Sequence, residues 1–375
     1  GNLVESDVDG TLIPEGFSIR RVARAGFSPS FNFTLWHSNP DGGAVFQADD
    51  GGWVYVSNSE STPGGVGALR FDANGDISDN YRILRDTRNN CAGGATPWQT
   101  WLSCEEVSDG QVYECDPFGS ADDAVARPAL GIFNHEAVAV DLPTRTLYLT
   151  EDSGSGRLYR FTSVGAKTSI NGKEGLDLDN GLLEVLEIEG FEAGGYQEDL
   201  DVARKLHKVK WVAVQSPERT QAEVRSEIEA TGVGAPGTVF KGGEGIWTQE
   251  FPEGQRQTVD GSDHPLRAVI FFACKGDNRV YALDVDNELI EVAFDNEQLT
   301  AVDELPYDDV DNLVVSPAGD VIVAEDGDAM RLMVMIPNQP AKILLQVPGG
   351  ESELTGPAFT ADGSRLYFSS QRGPV

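Results

Sequence analysis

The sequence has 375 residues, of which 40% are hydrophobic and 9% aromatic, so it contains enough apolar material for a large folded core. No stretch approaches the roughly 20 apolar residues that a membrane-spanning helix needs, and we expect no membrane insertion. With 61 acidic and 28 basic residues the net charge is -33, which repels nucleic acid, so we expect no nucleic-acid partner. The acidity either adapts the surface to salt and solubility or gathers ligands for hard cations.

The chain begins at Gly1, without methionine and without a charged or apolar leader. A signal segment has therefore either been removed or was never present. Residues 17–26 (FSIRRVARAG) form the first candidate strand, and we expect them to close the last repeat by removing its open edge.

A repeated phrase organises the rest of the chain: an apolar strand, a turn with Asp, Gly or Pro, and a second strand that ends in small and acidic residues. Complete copies span 43–60, 136–152, 312–326 and 356–370, and less complete copies span 96–106 and 244–250 with 266–277. Six units at this spacing predict an all-β fold, a six-bladed β-propeller, because a single blade cannot bury its own faces. A β-sandwich is the alternative, but it does not explain the spacing.

The repeat lapses between residues 160 and 240. Within this stretch, 216–232 has apolar residues at helical spacing among charged ones, which predicts a short amphipathic helix. We expect it to belong to an insertion at about 193–235, within a single propeller domain of residues 1–375. A monomer follows as the default, because a closed propeller leaves no long free edge.

Acidic residues recur at two points of the repeat. The start of the first strand carries Glu136, Glu244, Asp311 and Asn312, and the end of the second carries Glu60, Glu105, Glu106, Glu151, Asp152, Glu325 and Asp326. Equivalent positions of successive blades converge on the axis, where crowded carboxylates need protons or a cation between them. Each acid alone could be a solvated turn residue, but the repetition favours an axial metal site. Glu105 and Glu106 face opposite sides of their strand, so we expect only one of them to reach it.

The four cysteines are too few for a disulfide scaffold and form no CxxC pair of the zinc type. Cys91 is either a packing residue or a metal ligand. It precedes Gly93 and Gly94, where the backbone can approach a neighbour closely, and a thiolate favours iron or zinc over calcium. A two-residue turn at 109–110 predicts that Cys104 lies opposite Cys115, as a disulfide or as two packed thiols.

Signatures of other chemistries are absent from the sequence: it has no GxSxG, no HExxH and no P-loop motif. Of the four histidines only His135 lies in a repeat. It could be a base, a partner of a metal ligand, or a hydrogen-bonded structural residue.

Several motifs together resemble the PhoX family of bacterial alkaline phosphatases: NCAGG-TPW-TWL-CEE, NHEAVAVD with LYLTED, GGEGIW, DNLVVSPAGDVIVAED and GPAFTADGSRLYFSS. The resemblance runs from about residue 50 to the C-terminus and is most specific in the first motif. It implies a six-bladed propeller exported by the twin-arginine route to the periplasm or the medium. It also implies an axial cluster of Fe³⁺ and Ca²⁺ that hydrolyses phosphate monoesters, so that the partner is a small phosphorylated substrate.

The same resemblance implies roles for single residues. Cys91 would ligate iron, and the other ligands would be Glu136, Glu151 or Asp152, and Glu244, with Asp311, Glu325 and Asp326 as further candidates for calcium. Many family members have Arg-Pro-Glu where this chain has Gly242-Gly243-Glu244, so the arginine that would grip the phosphate is a glycine. Lys241 or Lys275 would have to compensate, although a lysine cannot reproduce the bidentate contact.

The leading hypothesis is therefore a metal-dependent phosphatase, with Glu244, Glu136, His135, Lys241 and Lys275 as its candidate catalytic residues. One alternative is a calcium-dependent propeller hydrolase of lactones or esters that uses carboxylates and a histidine. The other is a non-catalytic propeller whose axial ions tie the blades together.

Overall fold

The computed structural model describes residues 2–191, 205–259, 261–295, 309–327, 329–336, 341–348 and 352–373. Their regular secondary structure is almost entirely β-strand, with one α-helix and two short 3-10 turns at Pro128–Leu130 and Glu253–Gln255. Within this described part of the chain, no helix has both the length and the apolar character needed to cross a bilayer.

The strands form six blades in chain order. Two short strands, β1 (Leu3–Glu5) and β2 (Leu12–Pro14), come before them. Blade one contains β3 (Pro40–Gln47), β4 (Trp53–Ser59), β5 (Gly64–Phe71) and β6 (Ile77–Thr87). Blade two contains β7 (Asn90–Ala95), β8 (Trp101–Glu105), β9 (Val112–Cys115) and β10 (Val125–Ala126). Blade three contains β11 (His135–Asp141), β12 (Thr146–Glu151), β13 (Leu158–Ser163) and β16 (Gly181–Ile188), with a small hairpin of β14 (Ala166–Thr168) and β15 (Glu174–Leu176).

Strand β17 (His207–Ala213) and helix α1 (Gln221–Glu229) follow blade three. Blade four contains β18 (Gly243–Glu250), β19 (Ala268–Cys274), β20 (Arg279–Asp284) and β21 (Leu289–Asp295). Blade five contains β22 (Val310–Val315), β23 (Val321–Glu325), β24 (Arg331–Met335) and β25 (Lys342–Gln346). Blade six has two strands among the described residues, β26 (Leu354–Phe359) and β27 (Leu366–Ser370).

The innermost strands of the six blades close a ring. Each of β3, β7, β11, β18, β22 and β26 contacts the next in turn, and β26 contacts both β22 and β3. Strands β11 and β12 are buried along their whole length, as expected for strands packed on both faces. The predicted all-β, six-bladed propeller is confirmed.

The apolar core lies between the blades and divides into six clusters, one for each interface. Phe46 and Val56 of blade one, for example, pack with Trp101 of blade two. The cluster that closes the ring joins blade six to blade one through Trp53, Phe71 and Tyr367, and the Trp53 Nε1–H donates to the Tyr367 hydroxyl at 2.8 Å. Since every core cluster lies between two blades and no blade has a core of its own, the interface between blades six and one forms only when the ring closes.

The predicted closing strand at residues 17–26 is wrong as a strand. These residues form no ladder pair, while β2 pairs with β25 and extends blade five instead. Ile19, Val22 and Ala23 do pack beside blade six, but a cavity of about 1420 Å³ lies between this segment and β27. The side chains therefore reach blade six whereas the backbone stands too far away for ladder hydrogen bonds.

The predicted helix in residues 216–232 is present as α1. Part of the expected insertion, residues 193–204, lies outside the described residues. Strand β17 also falls within the expected insertion, but it belongs to the blade sheets. It pairs with both β16 and β21 and so links the sheets of blades three and four.

The predicted pairing of Cys104 with Cys115 is also wrong. Cys104 pairs with Val112, and Cys115 pairs with Trp101, so the loop between β8 and β9 holds six residues rather than two. In this register the two cysteines lie on opposite faces of the blade, and each is a free thiol in a different core cluster. A disulfide between them is excluded.

Candidate metal centre

Every blade carries the same irregularity at the start of its innermost strand. In blades one to five the first residue of that strand pairs with the last residue of the second strand, and the ladder resumes after one extra residue. In blade six two pairs, Leu354 with Ser370 and Thr355 with Ser369, come before the extra residue. This is a β-bulge, which re-aims the side chain that it carries. The second residue of each innermost strand belongs to the strand-start ring: Asp41, Cys91, Glu136, Glu244, Asp311 and Thr355. The first five are bulge residues, whereas Thr355 is paired with Ser369. All six are buried.

A second set of equivalent residues follows the end of each second strand. This strand-end ring consists of Glu60, Glu106, Asp152, Lys275, Asp326 and Gln371. Most of its members are half-buried, so the strand-end ring lies nearer to solvent than the strand-start ring. The two recurrent points of the sequence repeat therefore correspond to two layers of side chains around the propeller axis.

Three groups of possible ligand atoms form within and between the two rings, one of them together with Glu353, which precedes β26. Within each group the atoms lie within 4.8 Å of one another, and the groups are Cys91 with Glu106 and Glu136, Asp41 with Glu60 and Glu353, and Glu136 with Glu244 and Asp311. Glu136 belongs to two of the groups. These two groups are therefore connected, and the third group is close to them, because the Asp311 carboxylate adds to burial in raising the pKa of Asp41.

The carboxyl groups of this centre are strongly perturbed. Burial, reinforced by Glu244 and Glu106, raises the pKa of Glu136 well above its usual range. Burial and the neighbouring Asp152 raise the pKa of Glu106 to about 8, and burial raises the pKa of Asp311 to about 7. Burial and nearby carboxylates, Asp41 first, also raise the pKa of the Cys91 thiol. Because burial and mutual repulsion disfavour the ionised forms of these groups, the centre can be fully ionised only with a cation close to it.

Lys275 supplies the positive charge within the strand-end ring. Its Nζ lies 2.8 Å from Asp152 Oδ2 and 2.8 Å from Glu244 Oε1. These contacts raise the lysine pKa further, against the effect of burial. Lys241 lies alongside, where its backbone carbonyl accepts a hydrogen bond from the Gly276 N–H at 3.2 Å.

Three acids expected on the axis are held away from it by local partners. Glu105 accepts hydrogen bonds from the backbone N–H groups of Arg88 and Gln111. Glu325 forms a buried ion pair with Arg331. These acids are the last residues of their strands and face away from the axis, while the next residues, Glu106 and Asp326, face towards it.

Glu151 is the third of these acids. Its carboxylate is paired with Arg225 of helix α1 at 2.7 Å and accepts hydrogen bonds from the Arg157 N–H and the Tyr159 hydroxyl. Asp152, which follows it, contacts Lys275. The Asn312 side chain is also engaged in hydrogen bonds and is not available as a metal ligand. Its amide NH2 donates to Asp311, and its amide oxygen accepts from the Gly356 N–H at 2.7 Å.

The structure does not bring His135 to the centre. The ring is fully buried, its Nε2 lies 3.1 Å from the Gly131 carbonyl oxygen, and its centroid lies 3.6 Å from that of Phe133. Burial lowers its pKa to about 3. His135 thus fits the structural alternative rather than a catalytic base.

Sequence reasoning missed three residues of the site. Asp41 is the second residue of β3, whereas the repeat visible in the sequence begins two residues later, at Gly43. Glu353 precedes β26, and burial raises its pKa to about 11. Arg372 lies 3.0 Å from Glu353 Oε1 and 3.9 Å from Asp326 Oδ1. The alignment of Asp41 with Glu136 in the repeat was a usable signal, whereas nothing in the pattern identifies the other two.

These residues fit a group of cations. Both carboxylate oxygens of Glu136 are buried and find no hydrogen-bond partner among the described residues, which is costly unless a cation or protons satisfy them. The two all-carboxylate groups offer the oxygen ligands that calcium prefers, whereas the group with Cys91 adds a soft donor that suits iron or zinc. Directly along the axis, the innermost strands enclose a cavity of about 380 Å³ lined mainly by small and apolar residues.

Fold and site together define a class: a six-bladed β-propeller with a buried, acidic candidate metal centre on its axis. Sequence comparison then gives the family. The profile of the Alkaline phosphatase PhoX family matches residues 61–113 and 108–263, more than half of the chain, so the chain belongs to this family. A search of curated protein sequences gives no match.

Solved structures agree with this fold. PhoX of Pseudomonas fluorescens, in complex with vanadate as a transition-state analogue, is similar with a TM-score of 0.71 and 16% sequence identity. The alignment covers 98% of this chain and 92% of that one. A gluconolactonase from Xanthomonas campestris is more distant, with a TM-score of 0.45, 12% identity, and coverage of 99% and 95%. At 16% identity, the likeness to PhoX of Pseudomonas fluorescens extends to the fold alone.

Proposed function

We propose that this protein is a metal-dependent phosphatase that hydrolyses small phosphate monoesters at the axial centre. The observation that carries the proposal is the cluster of Cys91, Glu106 and Glu136, in which a buried carboxylate without a partner meets a thiol, in a chain of the PhoX family. The vanadate bound by Pseudomonas fluorescens PhoX mimics a phosphoryl transition state, which supports the same chemistry here.

The residues divide by donor type. Cys91, Glu106 and Glu136 would hold iron, because a thiolate is a softer ligand than calcium accepts. Two groups offer only oxygen ligands and would hold calcium. One consists of Asp41, Glu60 and Glu353, and the other of Glu136, Glu244 and Asp311. When bound, these cations supply Lewis acidity, which stabilises the negative charge that develops on a phosphoryl group.

The chain's own cations would bind the substrate. The Lys275 ammonium has three N–H donors and uses two of them on Asp152 and Glu244, so one is left for a phosphoryl oxygen. The Arg372 guanidinium is half exposed at the edge of the centre, and its planar fork suits a phosphate. Together they would replace the arginine for which this chain has Gly242.

Metal analysis and hydrolysis of 4-nitrophenyl phosphate at alkaline pH test the proposal. We expect protein purified without added ions to contain iron and calcium and to hydrolyse the ester. Glu136→Gln should lower kcat by at least about 100-fold, because it removes a ligand that two groups share. Glu227→Gln, a change on the exposed face of α1, is the matched control and should leave activity unchanged.

The outcomes separate the alternatives. Bound metal without hydrolysis of the phosphate ester would indicate either a hydrolase of lactones or carboxylic esters or a propeller that uses ions for stability alone. Absence of bound metal would refute the axial cluster. Cys91→Ser should lose most of its iron and keep calcium; full retention of iron would remove the ligand role of this thiol. Export from the cytoplasm, a monomeric state and a single domain stay predictions.

A further inference from the structure

Lys275 occupies a position that other blades give to an acid. The equivalent residues are Glu60, Glu106, Asp152 and Asp326, and blade six has the neutral Gln371. Its Nζ lies 2.8 Å from a carboxylate oxygen of blade three, on Asp152, and 2.8 Å from one of blade four, on Glu244. A cation that bridges two carboxylates from adjacent blades is the arrangement in which a divalent ion could also sit.

The backbone around Gly242 directs the lysine inward. Gly242 has φ +60°, and a Cβ placed on it would lie 2.6 Å from Lys275 Cγ. The Lys275 N–H donates to the Gly242 carbonyl at 2.8 Å. The lysine stem therefore runs over the space that any larger residue at 242 would fill, and glycine at this position is what lets the ammonium reach the ring.

The centre thus balances its negative charge in two different ways. Between blades two and three, Glu136 has no hydrogen-bond partner among the described residues and depends on a cation from solution. Between blades three and four, the covalently attached ammonium already lies between Asp152 and Glu244. A metal ion in this second place would have to displace the lysine or share its ligands, which costs Coulomb energy between like charges.

We propose that Lys275 is a resident cation that fills the position between Asp152 and Glu244, which is not one of the three groups proposed to hold iron or calcium, so that the wild-type protein binds one divalent ion fewer than its carboxylates could hold. The proposal rests on the proposed metal centre and concerns the number of its ions.

Counting metal ions in Lys275→Gln tests this inference. Protein loaded with iron and excess calcium is dialysed, and the number of each metal ion per chain is measured by inductively coupled plasma mass spectrometry. We expect Lys275→Gln to gain about one calcium per chain, whereas Lys275→Arg keeps the charge and the wild-type count. Lys210→Gln is the matched control, since Lys210 pairs with Glu187 at 2.6 Å outside the centre.

A second variant approaches the same question from the neighbouring loop. Gly242→Ala should push the lysine stem away from the ring and produce a similar gain, at a cost in stability from the positive φ. An unchanged or lower ion count in both variants, with metal still present in the wild type, would overturn the inference and leave the proposed function intact. A wild-type protein without any bound metal would instead contradict the proposed function.

Discussion

Adjacent acids at the ends of the second strands have different roles because their partners differ. Glu151 is neutralised by Arg225, and Glu325 by Arg331, so both carboxylates form structural ion pairs. The next residues, Asp152 and Asp326, face the axis. A buried acid that is paired with a buried arginine has little need of a metal, and this distinguishes Glu151 and Glu325 from the candidate ligands.

The pKa shifts predict how pH affects the metal-free protein. The pKa of Glu106 is raised from 4.5 to about 8, and that of Asp311 from 3.8 to about 7. Between the unfolded and the folded values the native state therefore binds more protons than the unfolded state, so its stability falls as pH rises. The slope is about 1.4 kcal/mol per pH unit for each such group, and the loss is complete above about pH 8.

Thermal unfolding with and without a chelator measures this effect. We expect the Tm difference between calcium-loaded and chelated protein to widen from pH 5 to pH 8, because bound cations remove the need for protons. The loaded protein is the control for all other titrating groups. A difference that stays constant over this range would contradict the assigned shifts.

The sequence predicted where acids would recur but not which of them meet. The repeat places an acid at the start of the first strand and at the end of the second, and Glu136, Glu244 and Asp311 do cluster. The partners that hold Glu151 and Glu325 away are arginines elsewhere in the chain, and Arg225 is on an inserted helix. Such contacts depend on the assembled fold, so the repeat alone could not choose between Glu151 and Asp152.

Among the elements, the β-bulge of each innermost strand positions the strand-start ring. One extra residue turns the side chain of Glu136, and its equivalents, out of the regular alternation. The same strands approach closely: a Cβ on Gly94 would lie 1.9 Å from the Val138 carbonyl oxygen of the next blade. Bulges and close strand contacts hardly change the hydrophobic periodicity of the sequence. The sequence therefore predicted the strands but not the bulges at their first residues.

Helix α1 is fastened to blade three by the buried pair of Arg225 and Glu151. Arg225→Met should destabilise the protein by about 3 to 5 kcal/mol, because it leaves the Glu151 carboxylate buried beside an apolar side chain. Urea unfolding measures the loss. Arg219→Met, which breaks the exposed pair with Glu227 on the same helix, is the control and should cost about 1 kcal/mol or less. Equal effects of the two changes would show that the helix is not anchored in this way.

At the scale of the whole molecule, the fold was predictable from spacing because each blade depends on its neighbours. Six repeats imply six interfaces, and each of the six core clusters lies at one of them. The manner of closure was not predictable. Residues 17–26 pack beside blade six through side chains without pairing, and their apolar pattern alone does not distinguish these two arrangements.

The net charge of -33 predicts a strong dependence of stability on salt. Repulsion within the folded chain is screened as the Debye length falls, from about 30 Å at 0.01 M salt to about 3 Å at 1 M. We expect the Tm of chelated protein at pH 8 to rise by several degrees over this range of sodium chloride. Near pH 5, closer to the isoelectric point of about 4.3, the rise should be much smaller. A Tm at pH 8 that does not respond to salt would contradict the prediction.

Blade six is the one blade that contributes no charge to either ring, since its two positions are held by Thr355 and Gln371. Two positive charges of the centre are those of Lys275 in blade four, two blades away, and of Arg372, which directly follows Gln371 in the sequence. A phosphate dianion that approaches the axis over blades one to three meets Glu60, Glu106 and Asp152. Over blade six it meets the neutral Gln371 and the Arg372 guanidinium, which is paired with Glu353. The seam that joins the last blade to the first is thus also the direction from which an anionic molecule is repelled least.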